Sequence, residues 1–252
     1  MLLTLKLTLV PVLILSVSLA ARRWGPNFAG LLTGVPIVTA PALFFFAVEQ
    51  SDAFAAEAAR SVLLSLVGVA AAGVAYAWAA PRTPWWLTLP ISWVVFVTAV
   101  FAAQRLPWPA TPAFALACAA IGLAQVLLPR AGAHVAAARR AWDLPLRMGA
   151  ALTLILTVTA LAERLGPTVS GALTPFPVAS SIMLGFSHAQ QGPSAAISFA
   201  RGFMLGMWSF AAFCYVVSVG IVPLGTAAGF AAALACAFTI QGAVLWWVRG
   251  PI

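Results

Sequence analysis

Charge is what this sequence has least of. Only 7% of its 252 residues are Asp, Glu, Lys or Arg, divided into five acids and thirteen bases. A soluble domain carries several times that share on its surface, so a water-facing fold of this length is excluded. Histidine is nearly missing, with His134 and His188 alone, and cysteine stops at three. Cys118, Cys214 and Cys236 lie inside apolar runs without metal-ligand spacing or a disulfide framework, and read as small packing residues. The chain has no His-Glu-x-x-His pair and no phosphate-binding glycine loop, so no metal, no cofactor and no ATPase site is expected. Gly185-Phe186-Ser187-His188-Ala189 has the spacing of a nucleophile elbow. It ends an apolar run, however, instead of joining strand to helix, and no helical base or acidic orienter accompanies it. An enzyme is not expected. The net charge of +8 does not imply nucleic acid either, because the bases stand singly at the ends of apolar runs, where they snorkel and set orientation.

Long hydrophobic stretches fill the space that charge leaves. Apolar residues make up 63% of the chain, and its mean hydropathy is +1.04. Runs of about 20 residues, the length that crosses a hydrocarbon core, recur from end to end. Charge, proline and glycine divide them into nine predicted helices at about 3–20, 28–48, 54–80, 85–104, 109–129, 146–162, 169–189, 194–220 and 224–248. Connections are short, and the longest, Arg130–Leu146, carries Arg139, Arg140 and Asp143. Met1–Ala21 imitates a signal peptide, with Lys6, an apolar run and Ser18-Leu19-Ala20-Ala21. An internal repeat argues that it is a structural helix.

That repeat sets Arg23-Trp24-Gly25-Pro26-Asn27-Phe28-Ala29-Gly30-Leu31-Leu32-Thr33-Gly34-Val35-Pro36 against Arg164-Leu165-Gly166-Pro167-Thr168-Val169-Ser170-Gly171-Ala172-Leu173-Thr174-Pro175-Phe176-Pro177. Gly25 and Gly166 stand 141 positions apart, and the same offset carries Gln50 onto Gln191 and Arg60 onto Arg201. It also carries Lys6 onto Arg147, in the middle of the chain, where no leader can be. Four helices precede the linker and four follow it, so the second repeat begins from the opposite side of the bilayer. The fold class expected is an all-α polytopic membrane protein. Nine transmembrane helices form two inverted-topology four-helix repeats, 1–4 and 6–9, joined by linker helix 5. The corresponding units are residues 1–106, 107–142 and 143–252.

On this topology one side collects Arg22, Arg23, Arg82, Arg130, Arg139, Arg140, Arg147, Arg201 and Arg249. The other holds Lys6, Arg60, Arg105 and Arg164 with Glu49, Asp52, Glu57 and Glu163. Basic residues favour the cytoplasm, which places the N-terminus outside and the C-terminus inside. The acids read mainly as solvated loop charges, with Glu49 and Glu57 the two deep enough to carry a coupling proton. Trp78, Trp85, Trp86, Trp108, Trp246 and Trp247 suit the headgroup level.

Chemistry, if any, belongs to the repeated breaks. Pro36 and Pro177 remove a backbone donor inside helices 2 and 7, and freed polar groups in lipid need a partner or a wet cavity. Thr33, Thr39, Thr174, Ser180 and Ser181 stand beside them. Arg60 and Arg201, a repeat-related pair about two turns into helices 3 and 8, are intramembrane cations and by default functional candidates, with snorkelling as the bland alternative. Together these nine residues form the expected solute site. Gly30 and Gly171, with Ser61/Ser65 and their counterparts Gly202/Gly206, are expected to let helices approach closely.

The second half, from Ser170-Gly171-Ala172-Leu173-Thr174-Pro175-Phe176-Pro177 through Arg201 to Leu205-Gly206-Met207-Trp208-Ser209, resembles the GlpM-like family of small inner-membrane proteins. The first half keeps Gly30, Pro36 and Arg60 and lacks the Met-Trp pair. The resemblance implies a bacterial inner membrane and two such units fused through a linker helix. It implies little about substrate. The function expected is secondary transport of a small solute by alternating access, with the two arginines favouring an anion. The alternative is a non-transporting scaffold or accessory subunit for envelope biogenesis, and a channel is a third option. The partners expected are the bilayer and a small-molecule solute, with a homo-oligomer left open and no nucleic acid.

Overall fold

The computed structural model describes residues 2–105, 107–132, 142–165 and 176–248. Ten helices and no strand are found among them: α1 (Leu2–Trp24), α2 (Pro26–Thr33), α3 (Thr39–Glu49), α4 (Asp52–Ala79), α5 (Trp85–Gln104), α6 (Ala110–Leu127), α7 (Asp143–Leu165), α8 (Val178–Gln191), α9 (Pro193–Leu224) and α10 (Thr226–Val248). Five of these, α4, α5, α6, α9 and α10, are long and apolar enough to cross a membrane. The protein is therefore built as an all-helical membrane protein. Each predicted helix coincides with one of these elements, except that the second is split into α2 and α3, and part of the seventh lies outside the described residues.

Proline and glycine place the boundaries. Gly25, Gly192 and Gly225 have φ of 87°, 85° and 78°, and each stands immediately before a helix. With ψ near 170° that conformation is essentially open to glycine alone, so the chain can turn sharply there without strain. Between α2 and α3 the break follows from Pro36. Proline has no N–H to give the Leu32 carbonyl, which accepts from Val35 at 3.2 Å instead. Ile37 then donates to the Val35 carbonyl at 2.8 Å, and the helix resumes as Ala40 donates to the Pro36 carbonyl at 2.9 Å. Pro177 does the same for α8, its carbonyl accepting from Ser181 at 2.9 Å. Pro36 and Pro177 are repeat mates, and each launches a helix.

The helix bounds follow the repeat. Leu2 and Asp143 open α1 and α7, Asp52 and Pro193 open α4 and α9, and Trp85 and Thr226 open α5 and α10, each pair 141 residues apart. Contacts between helices come in matched pairs: α4 lies on α5 as α9 lies on α10, α3 on α4 as α8 on α9, and α5 on α8 as α3 on α10. In the last pair each half reaches into the other. The mates α1 and α7 pack antiparallel, since Arg22 near the end of α1 pairs with Asp143 at the start of α7 at 2.9 Å. α4 and α9 are also antiparallel. Asp52, opening α4, accepts from Thr226, just past α9, at 2.6 Å. Tyr76, near the end of α4, meets His188, just ahead of α9, at 3.2 Å.

α4 and α9 form the core of the bundle, and Tyr76, Phe199 and Phe213 on them are fully buried. Lipid offers no hydrophobic drive for helices to associate, so close packing must supply the attraction. The tightest crossing joins α2 to α9. A Cβ at Gly30 would overlap the Phe199 carbonyl, one at Gly202 the Asn27 carbonyl, and one at Gly206 the Leu31 carbonyl. Only hydrogen fits between these backbones.

Candidate functional site

A cavity of about 420 Å³ opens between the two halves, bounded by described residues of α1 to α5 and α7 to α9. Thr33 and Thr39, on either side of the first break, face it, as do Pro177 and Ser180 at the second. Repeat mates line it together: Thr39 with Ser180, Val62 with Phe203, and Leu66 with Met207. The cavity therefore lies where the two halves exchange. Bulk is shared unequally across it. The second half contributes Phe203, Met207 and Phe210 where the first has Val62, Leu66 and Val69, so the first half's α4 leaves more room.

Ser61 and Ser65, expected as packing residues, also line this cavity, whereas their mates Gly202 and Gly206 are closed against α2. Ser65 donates to the Ser61 carbonyl at 3.0 Å, Thr33 to the Ala29 carbonyl at 2.9 Å, and Ser180 to the Pro177 carbonyl at 3.1 Å. Each hydroxyl thus satisfies itself on its own backbone and keeps lone pairs for another donor. Pro36 is buried at the break. Ser181 turns from the cavity lining to accept the indole N–H of Trp93 at 3.0 Å. Thr174 and Gly171 lie outside the described residues.

The paired arginines are placed elsewhere. Arg60 grips Glu57 with two N–H groups and donates a third to the Trp108 carbonyl at 2.8 Å, just ahead of α6. Arg201 donates to the carbonyls of Leu128 at 2.9 Å and Pro129 at 3.4 Å, just beyond α6. Neither lines the cavity. One arginine from each repeat holds one end of the linker helix, and Arg201 also sits at the negative end of its dipole. Glu49 and Glu57 are both exposed.

A polar cluster not anticipated from sequence joins α1, α7 and α8. Asp143 and Arg147 are 8% and 4% exposed, among the most buried charged residues described. One Asp143 oxygen accepts from Arg147 at 2.9 Å and from Gln190 at 2.6 Å, and the other from Arg22 at 2.9 Å. Arg147 in turn donates to the Gln190 side-chain oxygen at 2.9 Å, and its guanidinium lies 5.1 Å from the Phe186 ring centre. Asp143 is in the first turn of α7, ahead of the apolar stretch. Burial pushes its carboxyl up, but hydrogen bonds from Gln190, Arg147 and Arg22 outweigh that and hold it below the usual range. The readable signal was the i, i+4 spacing of an acid and an arginine on one helix. Gly185–Ala189 lies within α8, so the elbow-like motif is helical, with Ser187 buried and His188 against Tyr76.

No family model matches the sequence, and no curated protein or solved structure shows significant similarity to it. The class the fold defines is an all-helical membrane protein with a cavity shared by two halves of its chain.

Proposed function

We propose that this protein is a carrier of a small solute, working by alternating access between two inverted repeats that span the membrane nine times in all. The observation that carries the reading is the cavity lined by repeat mates from both halves, with broken-helix residues at Thr33, Thr39 and Ser180. Inversion is supported by the antiparallel packing of α1 on α7 and of α4 on α9, since mates related about the membrane normal would run parallel. Fusion of two repeated units is supported by helix starts that recur 141 residues apart, and the reading of each unit as GlpM-like rests on the sequence resemblance alone. The basic excess at the end holding Arg22, Arg147 and Arg201 supports a cytoplasmic placement of that end, with the N-terminus outside, and the bacterial inner membrane rests on the GlpM-like resemblance.

The test is thiol labelling with a membrane-impermeant reagent, using single cysteines at Thr33, Thr39 and Ser180 in a chain freed of Cys118, Cys214 and Cys236. A carrier exposes these positions to each side in turn, so each labels from both faces of sealed vesicles while the vesicles stay tight to small ions. A channel would label the same way but leak. Labelling from neither face would leave the scaffold reading in place.

A further inference from the structure

Resting on the carrier reading, we infer that the cavity takes an uncharged, mainly apolar solute bearing a hydrogen-bond donor, such as an alcohol, a phenol or a primary amide, and that it rejects anions. The lining settles the charge. Its polar side chains among the described residues are Thr33, Thr39, Ser61, Ser65, Gln104 and Ser180, none of them ionisable. An ion brought here loses its water and finds no opposite charge, a loss far larger than a few hydroxyls return. The two arginines that could have served an anion are committed to the carbonyls around α6.

The hydroxyls set the polarity of the polar end. Thr33, Ser65 and Ser180 each direct their proton to a carbonyl of their own segment, so they meet a ligand as acceptors. Gln104 lies 3.5 Å from Ser65 through its amide nitrogen, and its carbonyl adds another acceptor. A ligand with an O–H or N–H completes these groups, whereas a carboxylate or phosphate would be met only by the neutral donors of Thr39, Ser61 and the second Gln104 N–H, which do not offset the loss of its water. The remainder of the wall is aliphatic and aromatic, including Phe46, Phe54, Phe176, Phe203 and Phe210. A cavity of about 150 Å³ lined by such residues holds benzene, so 420 Å³ has room for a fused ring system or a short branched chain.

The experiment uses the full chain in nanodiscs and four probes on one ring frame: naphthalene, naphthalene-methanol, naphthoate and naphthylmethylammonium. Binding is read as the shift in thermal unfolding midpoint and by equilibrium dialysis against empty nanodiscs. Naphthalene-methanol is expected to bind and stabilise most, naphthalene more weakly, and naphthoate no better than to empty discs. Val62→Phe, which copies the residue at the mate position Phe203, should fill the space and abolish the shift. Ser65→Ala removes one acceptor without adding bulk and should weaken the alcohol about two- to tenfold while leaving naphthalene unchanged. Naphthoate or naphthylmethylammonium binding as tightly as the alcohol and lost in Val62→Phe would overturn the solute class and leave the carrier standing. Alcohol binding that neither substitution changes would overturn the assignment to this cavity. If no probe binds and the cavity cysteines label from neither face, the carrier reading falls with it.

Discussion

At the residue scale the decisive feature is a buried charge cluster whose members cannot be removed singly. Arg147 is only 4% exposed and relies on Asp143 for its countercharge. Removing one partner of such a pair strands the other in a medium that solvates it poorly. Asp143→Asn should therefore lower stability by about 3–5 kcal/mol, and adding Arg147→Met, which fills a similar volume without charge, should restore most of it. Thermal unfolding in mild detergent reads both, and equal stability of the single and double variants would show that the pair is solvated. The sign of the pH dependence follows from the same contacts. Asp143's carboxyl is held below its unfolded value, so its stabilisation is complete above about pH 4, where the unfolded carboxyl is ionised, and is lost as pH falls through the folded value. The acid limb of the wild-type stability profile should accordingly be steeper than that of Asp143→Asn.

At the element scale, helices meet through backbone instead of side chains, so glycine substitutions sort by geometry. A methyl group at Gly202 or Gly206 collides with a carbonyl of α2, which cannot move aside as a flexible side chain could. Gly202→Ala or Gly206→Ala should destabilise by at least about 1–3 kcal/mol as α2 and α9 are forced apart. Gly242→Ala in α10 meets nothing within 4 Å and should be neutral or slightly stabilising through better helix propensity. If all three leave the unfolding midpoint unchanged or raise it alike, helix propensity and not the crossing governs. The linker helix gives a second case. Arg201 secures its end through carbonyls of Leu128 and Pro129, so Arg201→Ala should cost about 1.5–3 kcal/mol, with Arg201→Lys between the two because an ammonium lacks the spread donors of guanidinium. An anion-transport defect without loss of stability would contradict that structural role.

At the scale of the whole molecule, the repeat made the order of helices readable because membrane helices announce themselves by length and apolarity, and because Gly-Pro pairs and Pro36/Pro177 mark backbone events that no other residue performs. The location of the cavity beside Thr33, Thr39 and Ser180 was legible for the same reason. What was hidden is direction. A single pattern of offsets does not say which face of α4 a side chain occupies, so Ser65 read as a packing residue and Arg60 as a solute ligand. Asp143 read as a loop charge because its partners, Arg22 and Gln190, are distant in sequence. Those distant partners lead to a statement about assembly. α4 of the first half lies against α9 of the second, and α2 crosses α9 with no room for a methyl group. Neither half can cover these surfaces by itself, and the glycine stripe on α9 offers little attraction to lipid compared with a matching helix. A chain divided between residues 132 and 142 and expressed as two tagged fragments should therefore form a complex that co-purifies in mild detergent, while each fragment alone is degraded or aggregates. Gly202→Leu in the second fragment should abolish the co-purification, whereas Gly242→Leu, on a face with free space, should leave it intact. Stable, separately purified halves would mean that each repeat closes its own core, and the matched contacts between them would then be incidental to folding.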